Sequence, residues 1–225
     1  MPATINHRAG NALLFKFAVA IFVFSFAAFA LKVIVHPERL ARYTPLVAVH
    51  GAIMMGWMAM FASQARLAMQ GKLTSHRAMG RWSPLLVIAM VTTGLTVSWN
   101  LSQEFGRYEV LVGNIGVFLN FVPLYIAAIV FARKHNQAEH RQAMLLGTLS
   151  TLGPAYARVT DVLELPLVAG FPMQLIATLG LSIWLDKASR GAVAKSTWVL
   201  LGFYFGVLFA TAGVFFLVLS GAAPT

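Results

Sequence analysis

The chain has 225 residues, of which 59% are hydrophobic and 11% charged, and its formal net charge is +10. A soluble domain carries roughly 25% charged residues, so this chain lacks the polar groups to cover a water-facing surface. It has no cysteine, which excludes disulfides, thiolate metal sites, iron–sulfur clusters and cysteine nucleophiles.

Seven apolar blocks follow one another: roughly Ala12–Val35, Pro45–Met69, Trp82–Asn100, Val110–Ala132, Arg141–Leu163, Leu167–Leu185 and Thr197–Ser220. Blocks of about 20 residues are what crossing ~30 Å of hydrocarbon requires at 1.5 Å per residue. A soluble core helix is amphipathic and seldom exceeds ~14 apolar residues. The first block, at about 24 residues, is too long for a signal-peptide core and is read as a span. The predicted fold is all-α: a polytopic transmembrane bundle of about seven spanning helices, forming a single domain over 1–225.

Local signals punctuate the blocks. Thr44-Pro45 reads as an N-cap followed by proline at the first helical position. Thr74 and Ser75 are candidate caps for the third helix. Pro123, Pro154 and Pro172 fall inside blocks four, five and six, where each removes a backbone hydrogen bond and implies a kink. Gly202 and Gly206 form a GxxxG spacing that permits close helix contact in the last block. A short repeat also appears. Ser75-His76-Arg77-Ala78-Met79 opens the third helix and Glu139-His140-Arg141-Gln142-Ala143-Met144 the fifth. Each follows a short basic loop.

Lys and Arg set the orientation, because cytoplasmic loops carry their excess. With the N-terminus inside, the inner face holds Arg8, Lys16, Arg66, Lys72, Arg77, Arg81, Arg133, Lys134, Arg141, Lys187, Arg190 and Lys195 of the 17 basic residues. The outer face holds Lys32, Arg39, Arg42, Arg107 and Arg158, and most of the acids. The predicted N-terminus is cytoplasmic and the C-terminus, after Ser220, external. This charge pattern belongs to a multi-pass protein of a bacterial-type inner membrane. The net charge is then a topology signal. It calls for anionic lipid at the inner face and removes the need for a nucleic-acid partner. Arg77, Arg81 and Arg141 are the predicted lipid head-group contacts.

Candidate chemistry rests on few residues. His50 lies one and a half turns inside the second block, with Met54, Trp57, Phe61 and Gln64 on its face. A polar stripe on a membrane helix turns toward the bundle interior or a wet cavity. His50 is read either as a heme or metal ligand or proton-transfer group, or as a histidine hydrogen-bonded to a neighbouring helix. The predicted partners are Tyr156, Arg158, Asp161 or residues near His36, which would place helices two and five side by side at their outer halves. Tyr156, Arg158, Asp161 and Glu164 form a polar cluster at the outer end of block five. It is either a site open to the outside or an interfacial ion pair. His76 and His140 lie at the opposite face. They are either a pair of cofactor ligands, if their helices adjoin, or head-group contacts. Asn114, Asn120 and Gln174 are read as amides that bridge helices. The last block has no lysine for a retinal Schiff base, no histidine follows His140, and no P-loop, GxSxG or HExxH motif is present.

Two stretches carry a resemblance: His50-Gly51, Trp57, Gln64-Ala65-Arg66-Leu67, His76-Arg77 and Gly80-Arg81; and His140-Arg141, Met144-Leu145, Thr148-Leu149-Ser150, Pro154-Ala155 and Arg158. On these the chain resembles a family of uncharacterised bacterial polytopic membrane proteins. The resemblance marks His50, His76 and His140 as candidate cofactor-binding positions. A looser similarity, in helix count and histidine placement, runs to membrane proteins of the cytochrome b561 type and implies heme b and electron transport. Three functions stay open: a heme- or quinone-linked redox component, an accessory or assembly subunit of a larger membrane complex, and a small-solute or ion transporter.

Overall fold

A computed structural model describes residues 5–38 and 44–220. Arg39 and Arg42, assigned above to the outer face, and the segment beyond Ser220 lie outside the described residues. The described chain is helical: α1 (His7–Val35), α2 (Pro45–Met69), α3 (Leu73–Gly80), α4 (Ser83–Phe105), α5 (Tyr108–Arg133), α6 (Gln137–Ser150), α7 (Gly153–Val162), α8 (Gly170–Arg190) and α9 (Lys195–Leu219). A 3-10 turn, Leu167–Ala169, leads into α8. The architecture is an all-α bundle, as the composition requires.

Six helical stretches are long and apolar enough to cross a membrane. The fifth block is the exception to the seven expected. It breaks at Thr151 and Leu152 into α6 and α7, of 14 and 10 residues, with Pro154 in the first turn of α7. Proline cannot donate to the preceding turn, so a new helix starts there instead of a kinked one continuing. The two halves still run from one end of the bundle to the other. Arg141 of α6 meets His7 and Asn11 at the start of α1, and Asp161 of α7 pairs with Lys32 at its end. The end holding His7, Arg141 and Arg190 is called the basic end below.

The other signals divide. Thr44 caps α2 by accepting a hydrogen bond from Val47 N at 3.3 Å, with Pro45 next to it. Thr74 and Ser75 cap nothing, because α3 begins earlier, at Leu73, after Lys72. Pro123 sits inside an unbroken α5, while Pro172 falls in the first turn of α8. A Cβ at Gly202 or Gly206 would touch nothing within 4 Å, so the GxxxG face meets no helix of the described chain. All three amides bridge helices: Asn114 to Ser98, Asn120 to the Tyr204 carbonyl, and Gln174 to the Tyr204 hydroxyl.

The short repeat is longer in space than in sequence. His76 and His140 are 64 positions apart, and so are the starts of α3 and α6, Leu73 and Gln137. The same offset relates Gly71 and His135, which both take positive φ (71° and 60°) in the turns before those helices. Hairpins α2–α3 and α5–α6 are therefore two copies of one unit. Equivalent residues meet between them: Trp57 stands edge-on to Phe121, 64 positions later, with ring centres 5.0 Å apart. Like-with-like contact is what a two-fold arrangement produces.

The core gathers around α6. Of its residues, Ala138, Arg141 to Ala143 and Leu145 to Ser150 are buried, enclosed by α1, α5, α8 and α9.

Candidate functional site

The repeat brings its two histidines together. His76 near the start of α3 and His140 near the start of α6 face each other at the basic end, ring centres 6.3 Å apart and planes at 86°. Each ring is anchored the same way. His76 Nδ1 donates to the Gln64 carbonyl at 3.2 Å, and His140 Nδ1 donates to the Ala128 carbonyl at 2.9 Å. Both bonds reach back 12 residues, across the turn to the preceding helix. A carbonyl only accepts, so Nδ1 carries the proton and the free lone pair of a neutral ring sits on Nε2. A backbone carbonyl at the second nitrogen is the usual means of orienting a histidine toward a metal.

The surroundings of the pair are open on one side. α3 packs chiefly against α2, and none of its residues is buried. The side-chain amide of Gln64, whose carbonyl holds His76, has both its nitrogen and its oxygen buried without a hydrogen-bond partner. Among the described residues no group of three or more His, Asp or Glu is placed to hold a metal ion. A metal at this pair would have to bring its remaining ligands with it.

His50 sits elsewhere. Its Nδ1 is 2.9 Å from the Thr93 hydroxyl of α4. A Cβ on Gly94 would lie 2.6 Å from the Phe118 ring and 3.0 Å from the His50 ring, so Gly94 lets both rings close against α4. The hydrogen-bond partner expected on the fifth block is therefore on α4 instead. Helix α2 packs on α1 and α4, and the fifth block's outer half, α7, packs on α1 and α8. One polar hydrogen-bond partner on a neighbouring helix is the simpler of the two readings offered for His50, and Thr93 provides it.

The outer cluster is divided as well. Asp161 pairs with Lys32 and approaches His36 Nε2 at 3.7 Å, while His36 Nδ1 is 3.3 Å from Glu38. His36 thus lies between the two carboxylates. Arg158 donates to the Pro154 carbonyl at 2.8 Å and lies over the Phe29 ring at 3.9 Å, a cation–π contact with α1. Tyr156 is buried against Phe24 of α1, ring centres 5.1 Å apart. Glu164 is exposed, at positive φ just past α7, and stands apart from the rest. The cluster ties α7 to α1.

The basic residues also separate. Arg77 and Arg81 are exposed. Arg141 is not exposed with them. It is 4% exposed, donates to Asn11 Oδ1 at 3.1 Å, and packs where Gly10 leaves room for its guanidinium. One residue along a helix turns about 100°, so while His140 faces the other hairpin Arg141 faces α1 and α8.

A buried network lies beside Arg141. Arg190 holds Glu139 at 2.8 Å and Asp186 at 3.1 Å; Asp186 accepts from Thr197 Oγ1 at 2.6 Å and Ala194 N at 2.8 Å. Its signal was present as polar residues every fourth position of α8: Gln174, Thr178, Ser182 and Asp186. No known protein family, curated protein or solved structure matches this chain.

Proposed function

We propose that this membrane protein is a redox component that holds heme b between His76 and His140. The observation that carries the reading is the pair itself: two imidazoles at equivalent positions of two repeated hairpins, each with Nδ1 fixed to a carbonyl. Two imidazoles on opposite sides of one metal, each ~2.0 Å from it, have ring centres about 6 Å apart. The ring centres of His76 and His140 lie 6.3 Å apart. A porphyrin would supply the ligands that the protein side chains do not.

The chain's own contribution is orientation. The Gln64 and Ala128 carbonyls keep each Nε2 free and make it a stronger donor. When bound, heme with two histidine ligands exchanges single electrons and leaves no position open for oxygen. Position at the basic end, the expected cytoplasmic side of a bacterial inner membrane, favours a soluble or lipid-borne donor there.

An absorption spectrum tests this. Protein purified from heme-replete membranes, or titrated with hemin, should give the spectrum of a six-coordinate low-spin heme. His76→Ala and His140→Ala should each abolish it, while His50→Ala should leave it intact. Folded protein that takes up no hemin, or a spectrum that depends on His50 and ignores His76 and His140, would end this reading.

A further inference from the structure

The two copies of the repeated hairpin are covered unequally. In the second copy α6 is enclosed by α1, α8 and α9. Arg141 there donates to Asn11 of α1 and packs over Gly10, beside Ser189 of α8. Its equivalent 64 positions earlier is Arg77 of α3. Helix α3 has no such cover: it packs chiefly on α2, and none of its residues is buried. One arginine of the repeat is thus given a protein oxygen, while the other faces outward.

Charge sets the uncovered copy apart. The segment 45–103 holds Arg66, Lys72, Arg77 and Arg81 and no aspartate or glutamate. Among the described residues none of these four joins an ion pair. Glu139 and Asp186, the acids of the basic end, are both held by Arg190. Arg81 ends α3 one turn after Arg77, so the two cations are neighbours on the helix surface.

The surface beside them is hollowed. Ala78, Arg81 and Trp82 line an open groove of about 400 Å³. Trp82 is 67% exposed. Tryptophan concentrates where hydrocarbon meets head groups, its ring half apolar and half polar. Past Trp82, Leu85 and Ile88 of α4 are exposed, while Ser83 and Val87 are buried on the other side of that helix. From Arg81 to Ile88, about two turns of helix, the exposed surface passes from cationic to aromatic to aliphatic. A phospholipid has the matching order of phosphate, ester region and acyl chain.

We propose that the groove at Ala78, Arg81 and Trp82 seats one anionic phospholipid of the leaflet at the basic end. Its phosphate lies against Arg77 and Arg81, its ester region against Trp82, and an acyl chain along Leu85 and Ile88. Guanidinium binds phosphate oxygens through paired N–H donors. The lipid gives Arg77 the oxygen that Asn11 gives Arg141, and it covers α3 where α1 and α8 cover α6. A free phosphate would satisfy the arginines alone and leave the apolar part of the surface bare. The site is independent of the His76–His140 reading and needs no cofactor.

Full-length protein in a nonionic detergent, titrated with phosphatidylglycerol or phosphatidylcholine and followed by native mass spectrometry, tests the proposal. Wild type should hold one phosphatidylglycerol more tightly than any further one, and more tightly than phosphatidylcholine. Arg77→Gln and Arg81→Gln should each weaken that first lipid about fivefold, the worth of one basic residue at a membrane surface. Together they should weaken it roughly thirtyfold and erase the preference over phosphatidylcholine. Trp82→Ala should weaken both lipids alike. Arg133→Gln combined with Lys134→Gln, an exposed basic pair on the second hairpin, should change nothing. All five residues are exposed, so the variants should fold as wild type does. Excess inorganic phosphate should leave the lipid in place; displacement would make this a free-anion site and overturn the proposal. Equal affinity of wild type for the two lipids would overturn it, and so would an equal loss in the Arg133 and Lys134 variant.

Discussion

Helices α6 and α9 invert the rule that works in water. α9 is 25 residues of almost unbroken hydrophobicity, yet only Thr197, Leu200, Leu201 and Tyr204 are buried. α6 has Glu139, His140, Arg141 and Gln142 in its first two turns, and most of it is buried. In water the apolar helix would be the core. In a bilayer the surroundings are as apolar as leucine, so hydropathy no longer drives a helix inward. Polar side chains do, because only other helices can satisfy them. The most polar segment becomes the centre, and the most apolar becomes the rim.

A polar centre is tolerable only with its cation in place. Arg190 serves both Glu139 of α6 and Asp186 of α8, and its side chain is 12% exposed. Arg190→Ala leaves two carboxylates short of their cation, and breaking buried pairs of this kind costs about 3–5 kcal/mol. The exposed pair Arg107–Glu109 supplies the control, since Arg107→Ala should cost about 1 kcal/mol or less. Denaturation of the protein in bicelles measures both. Equal effects would mean that the centre is not held by its charges.

The spans were legible because crossing hydrocarbon demands a run of apolar residues whatever they pack against. The Thr44-Pro45 start was legible because capping is local. The short repeat was legible at His76 and His140, but its extent was not. Trp57 and Phe121 differ as letters while filling equivalent places. The break in the fifth block was expected as a kink, since a proline alone does not reveal whether a helix bends or restarts. Arg141 was misplaced for a related reason: an arginine near a helix start suits a head group or the interior equally, and only the packing of Gly10 and Ser189 decides. His50 found Thr93 instead of α7 because sequence gives depth in the membrane and leaves neighbours undetermined.

The apolar residues of α6 contribute less. Leu145 of α6 is completely buried. Leucine-to-alanine changes in soluble cores cost about 2–5 kcal/mol, part from transfer to water and part from the cavity left behind. Within a membrane the unfolded helix stays in lipid, so the cavity part survives and most of the transfer part does not. Leu145→Ala should therefore cost about 2 kcal/mol, at the bottom of that range. A loss at the top of it would show that water reaches this segment on unfolding. The measurement is the same denaturation curve, compared with wild type.

The smallest effect belongs to the outward face of α9, and it separates that helix's two sides. On the inward side, a Cβ on Gly116 of α5 would collide with Thr211 of α9, so Gly116→Leu must push the helices apart, and overpacking of this kind costs about 1–3 kcal/mol. On the outward side, Gly206 has open space at its Cβ position, and its neighbour Phe209 is 54% exposed. Lipid accepts a leucine there as readily as the protein would. Gly206→Leu removes the entropic weakness of glycine in a helix and adds nothing that must be packed. Its expected effect is within about 0.5 kcal/mol of zero. A clear destabilisation from Gly206→Leu would show that this face is covered by another protein surface in the membrane. The rim would then be an interface, and the contrast between α6 and α9 would be one of partner instead of solvent.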